Sequence, residues 1–82
     1  MSVTIESPMN NMTNVDLGNL TIVFSYKTPI AFYGSNGLVI RQNDWSATTG
    51  KHLNYIHPNK DLRVTGDEFN RLLALELAPL GL

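Results

Sequence analysis

The stretch Asn19–Tyr26, NLTIVFSY, constrains the fold more than any other part of the chain. Leu20, Ile22, Phe24 and Tyr26 fall on one face of an extended backbone, and Thr21, Val23 and Ser25 fall on the other. A period of two in a run of β-branched and aromatic residues predicts a strand. Lys27-Thr28-Pro29 punctuates it, because proline fixes φ and brings no N–H to a ladder. Residues 30–33 read as a second strand, with Ile30 and Phe32 on one face. Gly34-Ser35-Asn36-Gly37 follows, and its Asn-Gly pair suits the positive φ of a tight hairpin. Residues 38–41 form the third strand, with Leu38 and Ile40 opposite Val39 and Arg41. The centre of the chain is therefore expected to be a three-stranded antiparallel meander.

Two helices are expected after it. Residues 47–56 form a short one, with Asn43, Asp44 or Ser46 as its N-cap. Gly50 weakens this helix by about 1 kcal/mol relative to alanine, and Pro58 stops it. Residues 61–64 are brief and extended. Thr65-Gly66-Asp67-Glu68 has the spacing of a capping box, and the helix it opens runs to about Ala78, before Pro79. Phe69, Leu72 and Leu73 are the stripe expected to face the sheet. Residues 1–18 read as an N-terminal arm, partly extended or disordered. Val3 and Ile5 alternate with Ser2 and Thr4, which allows a short edge strand there, and Pro8, Asn10-Asn11 and Gly18 mark the rest as loop or disorder. The expected class is α+β in the order β-β-β-α-(β)-α, with both helices on one face of the sheet. Residues 19–82 would be a single domain.

At 82 residues the chain is one small domain, and such domains commonly draw support from disulfides, metals or oligomerisation. The absence of cysteine removes disulfides and thiolate metal sites. Six basic and seven acidic residues leave a formal charge of -1, which is not the electrostatic footprint of a duplex-DNA binder. The apolar runs are far shorter than the roughly 20 residues that cross a membrane, and the N-terminus lacks the basic start and apolar block of a secretion signal. A location in the cytoplasm, that of the host cell if the protein is viral, is the expectation.

The polar segment WSATTGKHLNYIHPN, residues 45–59, gathers the single tryptophan and both histidines. His52 and His57 are five residues apart, poor spacing for two ligands on one helical face, and no metal or other cofactor is implied. Ser46 and His52 fall on different faces of a helix, so no nucleophile–base pair is read there, and the chain is read as non-catalytic. Thr48, Lys51 and His52 share a helical face. Together with Thr49 and Asn54, and flanked by Tyr26, Lys27 and Thr28 from the first turn, they form an expected polar ridge for a protein partner. The alternative is a nucleic-acid-binding or transcription-regulating protein, with Arg41, Lys51, Lys60 and Arg63 on phosphates and Tyr33, Trp45 and Tyr55 stacking on bases. Trp45, at a strand-to-helix junction, reads more simply as a core plug. The C-terminal LLALELAPLGL carries six leucines in eleven residues. That excess suggests a two-fold homodimer through Leu72, Leu75, Leu77 and Leu80.

The segments FSYKTPIAF (residues 24–32) and GLVIRQNDWSATTGKHLN (residues 37–54), with the EFNRLL helix, resemble a group of small uncharacterised proteins carried by bacteriophages and related mobile elements. The resemblance covers about residues 19–75 and leaves out the N-terminal arm and the last seven residues. It implies a viral accessory protein that binds a host or viral partner, and it implies no particular chemistry.

Overall fold

A strand that is apolar on both sides must be covered on both sides. The computed structural model describes residues 3–81 and meets that demand with one six-stranded sheet lying between two helices. The strands are β1 (Thr4–Met9), β2 (Met12–Asp16), β3 (Thr21–Ser25), β4 (Thr28–Gly34), β5 (Gly37–Arg41) and β6 (Arg63–Val64). The helices are α1 (Ala47–Ile56) and α2 (Gly66–Leu77). The strands lie in the sheet in sequence order, antiparallel from β1 to β5. β6 then pairs parallel to β5, with α1 as the crossover between them. The class is α+β as expected, but the three-stranded meander is only the middle of a larger, mixed sheet.

The helices do not share a face. Leu53 of α1 packs with Met12, Val23, Ile30, Ala31 and Ile40, whereas Phe69 and Leu73 of α2 pack with Leu20, Ile22 and Phe32. Adjacent residues of β3, β4 and β5 thus enter different clusters, and a helix pair on one side would have left the other apolar face wet. Ile30 and Phe32 also part company, contrary to the simple alternation. Val23 pairs with Ala31 but Phe24 pairs with Pro29, so Ile30 is an extra residue in β4. This bulge, next to a proline that cannot donate to the ladder, turns Ile30 and Ala31 together toward α1 and Phe32 toward α2.

Residues 4–16 pair as an N-terminal hairpin: the expected short edge strand is β1, and the stretch expected to be loop after it holds a second strand, β2. Met9 pairs with Met12 across the two-residue turn Asn10-Asn11, in which Asn11 has φ 62°, a conformation asparagine tolerates better than most residues. β2 is hydrogen-bonded along both edges, to β1 and to β3, and Met12 is buried in the α1-side core. β1 is an edge strand with little buried surface, so its sequence had no need of a strong apolar pattern. Residues 1, 2 and 82, which the expected domain limits take in, lie outside the described residues.

The helix starts follow the capping chemistry. Ser46 Oγ accepts from Thr49 N at 3.3 Å, and Thr65 Oγ1 accepts from Glu68 N at 3.2 Å. The return half of the expected capping box is replaced, since the Glu68 carboxylate takes Arg71 Nε at 2.6 Å. α1 ends at Ile56, with His57 extended ahead of Pro58, as the residue before a proline prefers. Next to the start of α2 lies Arg41, buried and paired with Asp44 at 2.9 Å. Its guanidinium carbon is 4.4 Å from the Trp45 ring centroid and 5.6 Å from that of Phe69. Trp45 is therefore not a core plug: it is 47 % exposed and lies against a cation.

A Cβ on Gly66 would collide with Arg41 Nη2. Gly66→Ala should destabilise the fold by about 1–3 kcal/mol, although alanine is the better helix former. Urea unfolding reads the loss, and an unchanged or raised midpoint would show that Arg41 is not held there.

Candidate partner-binding site

Two hairpin turns, Asn10-Asn11 and Tyr26-Lys27, lie side by side at one end of the sheet, joined by a hydrogen bond from Tyr26 N–H to the Asn11 carbonyl at 2.6 Å. Beneath them α1 inserts a polar side chain. His52 is 1 % exposed, Nε2 lies 3.0 Å from the Asn10 carbonyl oxygen, and Nδ1 lies 2.7 Å from Ser25 Oγ. Ser25 Oγ is also 3.0 Å from Thr49 Oγ1. A carbonyl only accepts, so the Nε2 atom carries the proton. In the neutral ring Nδ1 is then an acceptor and Ser25 donates to it, which leaves the Ser25 oxygen to accept from the Thr49 hydroxyl. Every polar atom of this chain of groups is used. Removing one member leaves a buried partner unsatisfied, at a cost of about 1–3 kcal/mol.

A serine hydroxyl 2.7 Å from an imidazole is the pairing a nucleophile requires. Here it does not face a substrate: Ser25 is 2 % exposed, and the far nitrogen of the ring is tied to backbone. The pair fastens α1 to the end of β3 and to the β1–β2 turn.

Tyr26 covers this network. Its backbone has φ 55°, uncommon for a bulky residue and worth roughly 1–2 kcal/mol of strain. The ring is 54 % exposed, and its centroid is 6.3 Å from that of His52 at an interplanar angle of 49°. The turn is thus held by pairing between Ser25 and Thr28, by the bond to Asn11 and by the histidine below.

The expected ridge splits in two. Thr49 and His52 are buried and serve the network, so they display nothing outward. The reason is the inward spacing of Thr49, His52, Leu53 and Ile56, which share the face of α1 turned to the sheet. Lys51 is exposed, Thr48 is half-buried, and Asn54 accepts from Arg63 Nη2 at 2.8 Å. Tyr26 and Lys27 are exposed, while Thr28 is half-buried. The structure therefore brings the first turn against α1, as the grouping of these segments requires, with His52 as the joint and not as part of the display. Ser25 and Asn10 went unsingled in the sequence. The available signal for Ser25 was a polar residue on the same strand face as buried Val23.

The other groupings also divide. Arg41 is spent internally on Asp44, so it leaves the basic set of Lys51, Lys60 and Arg63. His57 Nδ1 accepts from Asn59 N at 3.1 Å, a local turn bond away from His52. Among the described residues no three histidine, aspartate or glutamate side chains gather as metal ligands. Leu72, Leu77 and Leu80 are part-buried against the α2-side core, and Leu75, at 60 % exposure, is the outward member of the four leucines. No helix among the described residues is long and apolar enough to cross a membrane.

Tyr26→Gly removes the strained φ and deletes a half-exposed ring. The fold should keep its stability or gain up to about 1 kcal/mol, read by urea unfolding. A loss larger than about 1 kcal/mol would make the ring a structural element.

No curated protein and no solved structure matches the chain significantly. One family model does, over residues 3–71, a span that takes in the N-terminal hairpin as well as the central strands and both helix starts. The chain belongs to that family, a family of unknown function (DUF8033).

Proposed function

We propose that this is a non-catalytic accessory protein that acts by capturing a protein partner on the surface around Tyr26. The observation that carries the reading is Tyr26 itself: an exposed aromatic held at φ 55° by hydrogen-bonded turns and by a buried histidine. Strain that surrounding structure over-determines is concentrated at ligand clamps and interfaces. Tyrosine supplies large contact area with few rotatable bonds, which is why it is enriched there. Lys27 stands beside it in the turn, and Thr48 and Lys51 follow on the flank of α1 that also bears His52. The contact set is therefore Tyr26, Lys27, Thr48 and Lys51, with Thr49 and His52 as its support.

The viral setting rests on the resemblance of residues 24–32 and 37–54 to bacteriophage-borne proteins, and a place in the host cytoplasm goes with it. Self-association is part of the same reading, with Leu75 as the leucine left to meet a second copy. The nucleic-acid alternative has less support once Arg41 is consumed by Asp44.

Affinity capture from bacterial lysate, run in parallel with wild type, Tyr26→Gly and Lys27→Ala/Lys51→Ala, tests the surface. A protein retained by wild type and lost from both variants, with melting temperatures preserved, is the expected outcome. Retention of the same protein by all three, or by none, contradicts it.

A further inference from the structure

Beside α1 is a cavity unrelated to the Tyr26 surface. It measures about 360 Å³ and is lined by Gln42, Asn43, Gly50, Asn54, Lys60 and Arg63. No carboxylate lines it. Among the described residues the ion pairs are Arg41–Asp44 and Arg71–Glu68, so neither cation of the cavity is neutralised by an acid. Arg63 is under-satisfied: one Nη donates to Asn54 Oδ1 at 2.8 Å, and its Nε is buried with no acceptor. A buried guanidinium N–H without a partner calls for an explanation.

The remaining side-chain groups are mostly donors. Asn43 is used locally, with Nδ2 bonding the Ser46 carbonyl at 3.0 Å and Oδ1 accepting from Trp45 N at 3.0 Å. With Asn54 Oδ1 occupied by Arg63, its amide nitrogen is left to donate outward, beside the Lys60 ammonium and the rest of the Arg63 guanidinium. Gly50 contributes room: a Cβ there would lie 3.1 Å from Asn43 Nδ2, so the glycine lets the loop close against the helix without filling the space between. Gln42 and Asn43 follow the carboxyl end of β5, where the chain leaves for its crossover to parallel β6. In parallel strand–helix–strand units that end is where ligands bind.

We propose that this cavity binds a small phosphomonoester, its phosphoryl group held by Lys60, Arg63 and the Asn54 amide nitrogen. Two cations match a dianion, arginine presents a fork of donors suited to phosphoryl oxygens, and an all-acceptor group satisfies a donor-rich lining. A volume within the range of small-molecule pockets leaves room for an organic part of sugar size beyond the phosphate.

The test is a titration of the intact chain with ribose 5-phosphate, followed in proton–nitrogen spectra that include side-chain resonances. Saturating shifts at Asn54 Nδ2, Arg63 Nε and the Gln42–Asn43 amides are expected at ligand concentrations up to about 10 mM. Ribose should produce none, and inorganic phosphate should shift the same signals more weakly. Lys60→Gln, at an exposed residue whose side chain makes no ion pair among the described residues, should weaken binding about tenfold, and Arg63→Gln at least as much. Three results overturn the proposal. They are no saturable shifts, equal shifts at Lys27 as for diffuse ion attraction, and far tighter binding of a single-stranded oligonucleotide at these same signals.

Discussion

One buried chain of hydrogen bonds holds the upper end of this molecule together: Thr49 to Ser25, Ser25 to His52, and His52 to the Asn10 carbonyl. It joins three segments distant in sequence: the β1–β2 turn, the end of β3 and α1. The β1–β2 turn has little apolar surface to anchor it. The start of α1 carries threonines and a glycine where a core helix would carry leucines. Burying four polar groups is costly unless all are paired, and here pairing makes the arrangement all-or-none. A chain of this kind specifies one geometry more than it adds net stability.

The apolar clusters provide the bulk of the driving force and are divided by the sheet. Phe32 and Phe69, with ring centroids 5.4 Å apart, form the centre of the α2 side. Ile30, Ala31, Val23 and Leu53 form the α1 side. The bulge at Ile30 connects these two halves, because it decides which β4 side chain serves which helix. Arg41 closes the layer at the junction between β5 and α2, with Gly66 making the room. The same economy of polar groups separates the two functional surfaces. Thr49 and His52 are turned inward to support Tyr26, and Asn54 and Arg63 are turned to the polar cavity.

Much of this was legible from residue order. The alternation at Asn19–Tyr26 named the faces of β3 correctly up to Ser25, and Ser46 and Thr65 cap their helices as hydroxyl residues should. Of the short piece expected to be extended at residues 61–64, only Arg63–Val64 pairs at the sheet edge, because Lys60–Leu62 close a 3₁₀ turn capped by Asn59. Of the N-terminal hairpin only the short edge strand was legible, from the Val3–Ile5 alternation; β2 was not, because the two-asparagine turn that leads into it resembles any loop. The bulge put Ile30 on the face opposite Phe32, which simple alternation in β4 could not show. The inward stripe of α1 was masked by chemistry: Thr49 and His52 occupy positions where leucine or isoleucine would have announced a buried face. Trp45 lies half-exposed against the Arg41 guanidinium, a contact that its place at a strand-to-helix junction does not reveal.

The account depends most on His52 standing inside the protein as a fixed tether between α1, Ser25 and the Asn10 carbonyl. A long-range proton–nitrogen spectrum of its ring tests that directly. The geometry predicts a proton fixed on Nε2, bonded to the Asn10 carbonyl, that exchanges slowly enough to be observed. A ring that averages between tautomers, with a proton lost to rapid exchange, would contradict it and with it the fixed platform beneath Tyr26.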